Sequence, residues 1–264
     1  MKIQVMIATM RKDNLDFLEE MNLETDTVVA NQYNEDFVEE YLDSKGNVIK
    51  HIMTKTKGLS VNRNICLAAL DSDIAIISDD DVEFLTGSIE KVRRAFIEHP
   101  NADVIIFNIY ESNNSRYVIN KVSNVGYLNY MRFGSVRIAF RTASIKEKLI
   151  RFDEEFGSGG NIPLGEDTIF LKECLDKKLK IIAVPDYILK LKDIRESTWF
   201  NGYNEKFFIN KGKLFYRLNP KFYLITSLFN TIKHYRKYSS YGSFYRIYRL
   251  MISGALEYKL SRVN

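Results

Sequence analysis

Short apolar runs alternate with helically spaced stretches along the first 200 residues. Helices are predicted at Asn14–Met21, Gly58–Leu70, Ser88–Glu98 and Thr168–Lys177. Strands that alternate with helices favour parallel pairing, so the pattern predicts an α/β fold. The runs that predict strands are Ile3–Ala8, Thr27–Ala30, Val48–Met53, Ile74–Ile77, Asp103–Ile109, Val136–Phe140 and Lys180–Val184, the last stopped by Pro185.

The pattern changes near residue 200, where strand signals fade. Beyond that point aromatic and basic residues accompany helical stretches, notably Phe222–Tyr235 and Phe244–Leu260. We therefore predict two regions, an α/β domain over residues 1–200 and a basic, aromatic-rich helical extension over residues 201–264.

The charge is divided unevenly between these regions. The whole chain carries +4, but Tyr203–Asn264 holds twelve Lys and Arg against two Glu, a net charge of +10 that leaves −6 on the first 202 residues. A basic tail on an acidic body is typical of proteins that dock on an anionic surface. Two interpretations of a segment such as Phe244–Ile252 stay open: a helix lying on an anionic membrane, or one packed on the domain with a solvated basic rim. The acidic body argues against a nucleic-acid partner.

Composition and the N-terminus favour a cytoplasmic protein. The first seven residues are too short and too polar for a signal peptide, and no apolar run approaches the roughly 20 residues that span a bilayer. Cys66 and Cys174 follow no metal-ligand spacing and are expected to be buried free thiols. We expect the protein in the cytoplasm, either free or held peripherally on the inner face of the plasma membrane.

Three consecutive aspartates, Asp79, Asp80 and Asp81, follow the apolar run Ile74–Ile77 after a single serine. Clustered carboxylates repel each other, and a divalent cation such as Mg²⁺ or Mn²⁺ relieves that repulsion. The carboxyl end of a strand is where open α/β sheets bind ligands. Thr9 and Asn31 follow the first two predicted strands, so we expect them to meet the triplet at one edge of the sheet. The alternative for each is an ordinary solvated turn or cap residue.

Two further polar positions are candidates for chemistry. Arg63, near the start of a predicted helix, could reach a phosphate or could pair with an acid on the surface. Asp167 follows Gly165 and Glu166 and could be a general base, or both acids could simply complement a helix dipole. Trp199, the one tryptophan, either packs in the core or stacks on an acceptor sugar.

The combination of these motifs, in this order, resembles the family 2 glycosyltransferases, which have the GT-A fold. The resemblance covers roughly residues 1–200. The matching elements are the first strand ending at Thr9, the Gly58–Asn64 helix start, Asp79–Asp81 in the place of the DXD motif, Gly165–Asp167 in the place of the ED motif, and Ser197–Trp199.

The resemblance implies a GT-A catalytic domain: a Rossmann-like mixed sheet flanked by helices. It also implies a role for each matched residue. Asp81 and Asp79 would hold Mn²⁺ or Mg²⁺ with the diphosphate of the donor, Asp167 would deprotonate the acceptor hydroxyl, and Glu166 would lie with Trp199 at the acceptor. The residues implied to bind the nucleotide-sugar are Thr9, Asn31, Arg63, Asp79 and Asp80.

The sequence departs from the family pattern at two places. Asn31 stands where members often have an aspartate that binds the base, and no histidine precedes Ser197 as a further metal ligand. With these departures, either Asp81 and water would hold the metal, or a lysine or Arg195 would supply positive charge to the diphosphate.

From these observations we predict an inverting, metal-dependent glycosyltransferase of surface polysaccharide synthesis, with a UDP-sugar donor and a saccharide acceptor, free or lipid-linked. Two alternatives remain at this point. One is a sugar-phosphate nucleotidyltransferase, although the chain lacks a glycine-rich basic loop near Thr9. The other is a non-catalytic membrane-associated adaptor with a transferase-like domain.

Overall fold

The structure is a computed structural model that describes residues 1–111, 116–192 and 202–262. Its strands are β1 (Ile3–Met10), β2 (Thr27–Gln32), β3 (Phe37–Leu42), β4 (Val48–Thr54), β5 (Ile74–Asp79), β6 (Val82–Phe84), β7 (Val104–Tyr110), β8 (Ser123–Val125), β9 (Ile138–Arg141) and β10 (Ile181–Leu191). Its α-helices are α1 (Leu59–Ala69), α2 (Ser88–Glu98), α3 (Thr142–Glu147), α4 (Glu166–Asp176), α5 (Glu205–Leu218), α6 (Tyr223–Tyr238) and α7 (Phe244–Leu260).

The strands of the described residues form one mixed sheet in the order β3-β4-β2-β1-β5-β9-β7-β10-β6, with β8 paired to β10. β1 pairs in parallel with β2 and β5, and β7 pairs in parallel with β10. β9 runs antiparallel between β5 and β7. The predicted α/β architecture with a mixed sheet is therefore confirmed.

The apolar runs of the sequence form the centre of this sheet. Val5 and Ile7 on β1 and Ile76 on β5 are completely buried, as are Val28 and Val29 on β2. Strands covered on both faces need apolar residues at consecutive positions, which is why these runs do not alternate. The central strands β1, β2 and β5 carry the polar residues Thr9, Asn31 and Asp79 at their carboxyl ends.

The predicted strand boundary at Pro185 is wrong, because β10 continues through it to Leu191. The pairing of β10 with β7 shifts register between Ala183 and Tyr187, and Asn108 Nδ2 donates a hydrogen bond to the Pro185 carbonyl at 3.1 Å. Proline has no N–H for the ladder and is tolerated in a strand at such irregularities.

Two other elements differ from the sequence pattern. β3 was not predicted, because all but the first of its residues are exposed and Glu39 and Glu40 interrupt its apolar positions. It lies at the edge of the sheet, antiparallel to β4. The predicted helix Asn14–Met21 is a 3₁₀ helix over Asp16–Met21.

The chain divides into two compact units. One comprises Met1–Glu154 and Glu166–Arg195, and the other comprises Glu155–Gly165 and Glu196–Asn264. The second unit contains α5, α6 and α7, of which the last two match the helices predicted in the extension. The predicted domain boundary between residues 200 and 201 lies outside the described residues and stays a prediction. Within the described ranges, each helix is too short or too polar to cross a membrane.

In the second unit, α5 and α7 approach each other through glycine. A Cβ placed on Gly212 of α5 would lie 1.8 Å from the Met251 carbonyl oxygen of α7. Reciprocally, a Cβ on Gly254 of α7 would lie 2.0 Å from the Ile209 carbonyl oxygen of α5. Because both obstacles are main-chain atoms, neither can move away as a side chain would.

We expect Gly212→Ala to destabilise the protein by about 3 kcal/mol, at the upper end of the range for overpacked cores, although alanine favours a helix more than glycine does. Urea unfolding followed by circular dichroism measures the change. The control is Gly126→Ala, since a Cβ there meets no atom within 4 Å. Equal stability of the two variants would contradict the close approach of α5 and α7.

Candidate functional site

Polar residues gather where the parallel strands β1, β2 and β5 end. Thr9 of β1 lies opposite Asn31 of β2, and Ala8 lies opposite Asp79 of β5. The carboxyl ends of parallel strands share one edge of a sheet, and crevices at that edge bind ligands in α/β folds. The expected convergence of Thr9, Asn31 and the triplet is thus observed, while their ligand roles stay predictions.

Arg63 on α1 joins the triplet to the acids of α4. Its side chain is only 1% exposed, with Nη2 2.8 Å from Asp79 Oδ1 and Nη1 3.1 Å from Glu166 Oε1. The guanidinium also lies over the Phe152 ring, 5.5 Å from its centre. Burial alone lowers the pKa of Arg63, but the carboxylates of Asp79 and Glu166 outweigh burial and raise that pKa above its ordinary value. Arg63 is therefore a buried cation that positions two carboxylates, rather than a surface helix arginine.

The middle aspartate of the triplet is held from the β1 side. Thr9 Oγ1 donates a hydrogen bond to Asp80 Oδ2 at 2.7 Å, and Lys12 Nζ lies 3.3 Å from the same oxygen. The main-chain carbonyl of Asp81 accepts a hydrogen bond from the Lys192 N–H at 3.0 Å, which connects the turn after β5 to the end of β10. Asp79 therefore ends β5, while Asp80 and Asp81 form a turn before β6 that is held by contacts with β1 and β10.

The donor set of the triplet fits one kind of metal site. Among the described residues, no group of three or more His, Cys, Asp and Glu side chains is arranged to hold a metal ion. Asp79 and Asp80 each already face a cation, Arg63 and Lys12 respectively. Magnesium is commonly bound through one or two carboxylates together with substrate phosphates. The residues therefore fit a divalent cation shared with a bound diphosphate and do not fit one caged by the protein alone.

Asn31 acts on the backbone of the loop after β1. It is completely buried; its Nδ2 donates to the Lys12 carbonyl at 2.7 Å, and its Oδ1 accepts from the Lys12 N–H at 3.3 Å. This pair of hydrogen bonds places Lys12 beside Asp80. Asn31 thus positions a cation at the site, and direct contact with a nucleotide remains a prediction for it.

Two asparagines near the start of α1 hold this helix against the edge of the sheet where β1 and β2 end, and against the segment at Phe152. Asn62 Nδ2 donates to the carbonyls of Thr9 and Ala30 at 2.8 Å each, which ties α1 to the ends of β1 and β2. Asn64 exchanges hydrogen bonds of 2.9 and 2.8 Å with the main chain of Phe152, the residue beneath Arg63. Asn62 lies within the Gly58–Asn64 motif, but the sequence pattern did not predict its role.

Glu166 and Asp167 form the first turn of α4. The chain enters this turn at Gly165, whose φ of 91° is readily adopted by glycine. Asp167 Oδ1 accepts the Thr168 N–H at 2.7 Å, and a Cβ on Gly134 would lie 3.4 Å from Oδ2. The absence of a side chain at Gly134 keeps the approach to that oxygen open.

Both carboxyl groups have pKa values above their ordinary ranges. Burial raises the pKa of Glu166 to about 7, with the neighbouring Asp167 charge adding to the shift and Arg63 opposing it. Burial likewise raises the pKa of Asp167, against the opposing effect of Arg63. Carboxyl groups whose pKa values are raised above their ordinary ranges are suited to proton transfer.

Arg137 is a second buried cation near this pair, and the sequence analysis did not select it. Its side chain donates to the Tyr117 carbonyl at 2.9 Å and to the Arg132 carbonyl at 3.0 Å, and it lies over the Phe133 ring. Burial lowers the pKa of Arg137 to about 10. The feature of the sequence that could have identified Arg137 is its position inside the apolar run 136–140, because an arginine there must be buried with the strand. Arg137 fixes the described part of the loop between β7 and β9.

One predicted site residue cannot be placed. Trp199 lies outside the described residues, as do Ser197 and Arg195 of the same segment. Its acceptor-binding and core interpretations both stay predictions.

The chain was compared with known families and proteins. The model of glycosyl transferase family 2 matches residues 28–163. That range includes α1 with Arg63 and the whole aspartate triplet. No match was found to a protein with a curated description.

Solved structures of S. aureus TarS have a similar fold. TarS 1–349 in complex with UDP-GlcNAc is 20% identical, with a TM-score of 0.59 over 81% of this chain and 66% of that chain. The complex of TarS 1–349 with UDP is 19% identical, with a TM-score of 0.56 over 81% of this chain and 64% of that chain. A longer TarS structure is 18% identical, with a TM-score of 0.58 over 83% of this chain and 40% of that chain. This chain therefore spans less than two thirds of the length of each of these TarS chains. At sequence identities of 18–20%, the structural similarity establishes the fold alone.

The predicted GT-A fold is thus confirmed by structural similarity. The family match covers more than half of the 264 residues and contains the Gly58–Asn64 helix start and the aspartate triplet, two of the motifs that carry the resemblance. The chain belongs to glycosyl transferase family 2.

Proposed function

We propose that this protein is an inverting, metal-assisted glycosyltransferase that moves a sugar from a UDP-sugar to a saccharide acceptor in surface polysaccharide synthesis. The observation that carries the proposal is the Arg63 bridge. It links Asp79, beside the expected donor diphosphate, to Glu166, beside the expected base. The residues proposed to bind the donor and those proposed to act on the acceptor therefore lie on either side of one buried cation.

The donor would occupy the edge formed by β1, β2 and β5. The TarS structures contain UDP-GlcNAc and UDP, which supports a uridine nucleotide here. Asp81 and Asp79 would hold Mn²⁺ or Mg²⁺ with the diphosphate, and the bound cation supplies charge compensation for the departing nucleotide. Lys12, fixed by Asn31, adds positive charge at the same place. The residues proposed to line the nucleotide-sugar pocket are Thr9, Asn31, Arg63, Asp79 and Asp80.

Asp167 would serve as the general base. It accepts the proton of the acceptor hydroxyl as that oxygen bonds to the anomeric carbon, and the bond to the nucleotide oxygen breaks on the opposite face. An α-linked donor then yields a β-glycoside. Glu166, with Trp199, would contact the acceptor, and the gap at Gly134 supports access of the hydroxyl to Asp167 Oδ2.

The alternatives are less well supported. Membership of a glycosyl transferase family favours sugar transfer over nucleotidyl transfer. The acids and cations of the site also make specific contacts with each other, which supports a working catalytic site over an adaptor. A lipid-linked acceptor would call for peripheral association with the cytoplasmic face of the membrane, and the protein would act there.

We predict that a UDP-sugar with Mn²⁺ stabilises the protein. A donor at 100 times its Kd should add about 2.7 kcal/mol, or roughly 5–10 °C in Tm for a chain of this size. A thermal-shift panel of UDP-, GDP- and CMP-sugars, with and without Mn²⁺, measures it. Asp81→Ala should remove the Mn²⁺-dependent part of the shift.

The matched control for Asp81 is Glu83→Ala on β6, whose carboxylate lies 2.9 Å from Lys190 Nζ. This control should keep the full shift. An unchanged nucleotide affinity in Asp81→Ala would remove Asp81 from the metal site. A flat response to every nucleotide-sugar would favour the adaptor, whereas pyrophosphate release with a nucleoside triphosphate would favour the nucleotidyltransferase.

We predict that Asp167→Asn lowers turnover by roughly 10²- to 10⁴-fold, the usual contribution of a general base, while the nucleotide-sugar still binds. Single-turnover transfer and the thermal shift are measured on the same preparation. Asp176→Asn, on the exposed end of the same helix, is the control and should retain turnover. Normal turnover in Asp167→Asn would rule out Asp167 as the base.

We predict an acid limb in the pH profile of kcat/KM that extends above the ordinary pKa of an aspartate. Burial raises the pKa of Asp167, so the protonated and inactive form of the base persists to higher pH, and activity rises as the base loses its proton. Glu166→Gln removes the neighbouring negative charge and should move the limb to lower pH. If Glu166→Gln instead abolishes turnover as Asp167→Asn is expected to do, Glu166 is the base.

A further inference from the structure

An exposed apolar surface runs along α6. We call it the α6 outer face: Leu224, Ile225, Leu228, Phe229 and Ile232, whose exposures are 46%, 64%, 39%, 64% and 60%. Spacings of three and four residues place these side chains on neighbouring rows of one side of the helix. The opposite side is buried at Ser227, Thr231 and Tyr238. The α6 outer face is thus a continuous apolar stripe.

The neighbouring helix α7 exposes fewer apolar side chains, namely Tyr245, Leu256 and Leu260 at 70%, 43% and 65%. Its apolar residues Ile247, Met251 and Ala255 are completely buried, and Tyr258 is 6% exposed. The segment Phe244–Ile252 was the example of a membrane-lying helix, but its residues Ile247 and Met251 are buried by packing within the helical unit. More apolar side chains are exposed on α6 than on α7.

Positive charge borders the α6 outer face. Lys233, Arg236 and Lys237 are exposed on the second half of α6, and exposed Lys221 precedes its first turn. Between Glu205 and Glu257 the sequence contains ten Lys and Arg and no Asp or Glu. The stripe is therefore flanked by cations with no carboxylate in the surrounding fifty residues of sequence.

The apolar stripe and the cations that border it favour one kind of binding partner for the α6 outer face. Two copies of the chain meeting through this face would bring like charges together, which is costly. An amphipathic helix with apolar residues on one side and Lys and Arg beside them matches the boundary between anionic headgroups and acyl chains. Bulky Phe229 and Ile225 would enter that boundary while the cations meet headgroup phosphates.

We propose that the α6 outer face docks the protein on an anionic phospholipid bilayer. The inference deepens the proposed function, because a lipid-linked acceptor would be presented at such a surface. The docking itself requires neither donor nor acceptor. A vesicle measurement without either substrate therefore separates failure of this proposal from failure of the proposed reaction.

The test is flotation of the full chain with vesicles of phosphatidylcholine alone or with 30 mol% phosphatidylglycerol (an experimental choice of about one anionic lipid in three, enough to give a negative surface). Binding is expected only to the anionic vesicles and should fall as salt rises from about 0.1 to 0.5 M, since screening shortens the range of these charges. The triple variant Lys233→Gln, Arg236→Gln, Lys237→Gln should partition on the order of 100-fold less, given about 1 kcal/mol per cation. Ile225→Ser with Phe229→Ser should also abolish flotation.

The matched control is Val38→Ser with Leu42→Ser on edge strand β3, where two apolar side chains are 64% and 67% exposed. This control should float like the unchanged protein, and circular dichroism confirms that each variant is folded. Equal binding to both vesicle types, or binding unaffected by the α6 variants, would overturn the proposal. Absence of flotation together with dimers that the Ile225→Ser, Phe229→Ser variant disrupts, seen by light scattering, would assign the face to self-association instead.

Discussion

The guanidinium of Arg63 connects Asp79 at the end of β5 with Glu166 at the start of α4, and these two residues are 87 positions apart in sequence. A buried cation without partners would be expensive, and two carboxylates near one another would repel. Each group here offsets the cost of the others, so Asp79, Arg63 and Glu166 are stable only as a set. The set forms when β5, α1 and α4 have all docked, which makes the candidate site a product of tertiary assembly.

A second group of contacts extends this arrangement toward β1 and β2. Thr9 and Lys12 hold Asp80, and Asn31 holds Lys12 through its main chain. Side chains fixed in this way lose little further freedom when a ligand arrives, which favours binding by a pre-organised site. The same contacts leave the triplet poorly suited to cage a metal alone. They suit a role in which the nucleotide supplies most of the ligands.

The helical unit shows how packing redistributes exposed apolar surface. Gly212 and Gly254 let α5 and α7 meet backbone to backbone, and this contact buries the apolar side of α7. α6 buries Ser227, Thr231 and Tyr238 and leaves its large aliphatic side chains and Phe229 exposed. The composition of the extension suggested a basic surface with apolar residues, but both α6 and α7 had suitable sequences. Only the packing of the three helices distinguishes the exposed face from the buried one.

The sequence by itself determined the class of fold and the edge of the sheet at which polar residues meet. Buried parallel strands require continuous apolar runs, and both these runs and the acidic residues that follow them can be recognised in the amino-acid sequence. It did not reveal edge strand β3 or the passage of β10 through Pro185, because exposure and register depend on neighbouring strands. The hydrogen-bond and ion-pair partners of the polar side chains were also known only from the tertiary structure. From sequence alone, Arg63 could equally have paired on the surface and Asn31 could have faced solvent, and Arg137 belongs to no recognised motif. Pairing energies depend on distance and burial, which the order of residues along the chain does not contain.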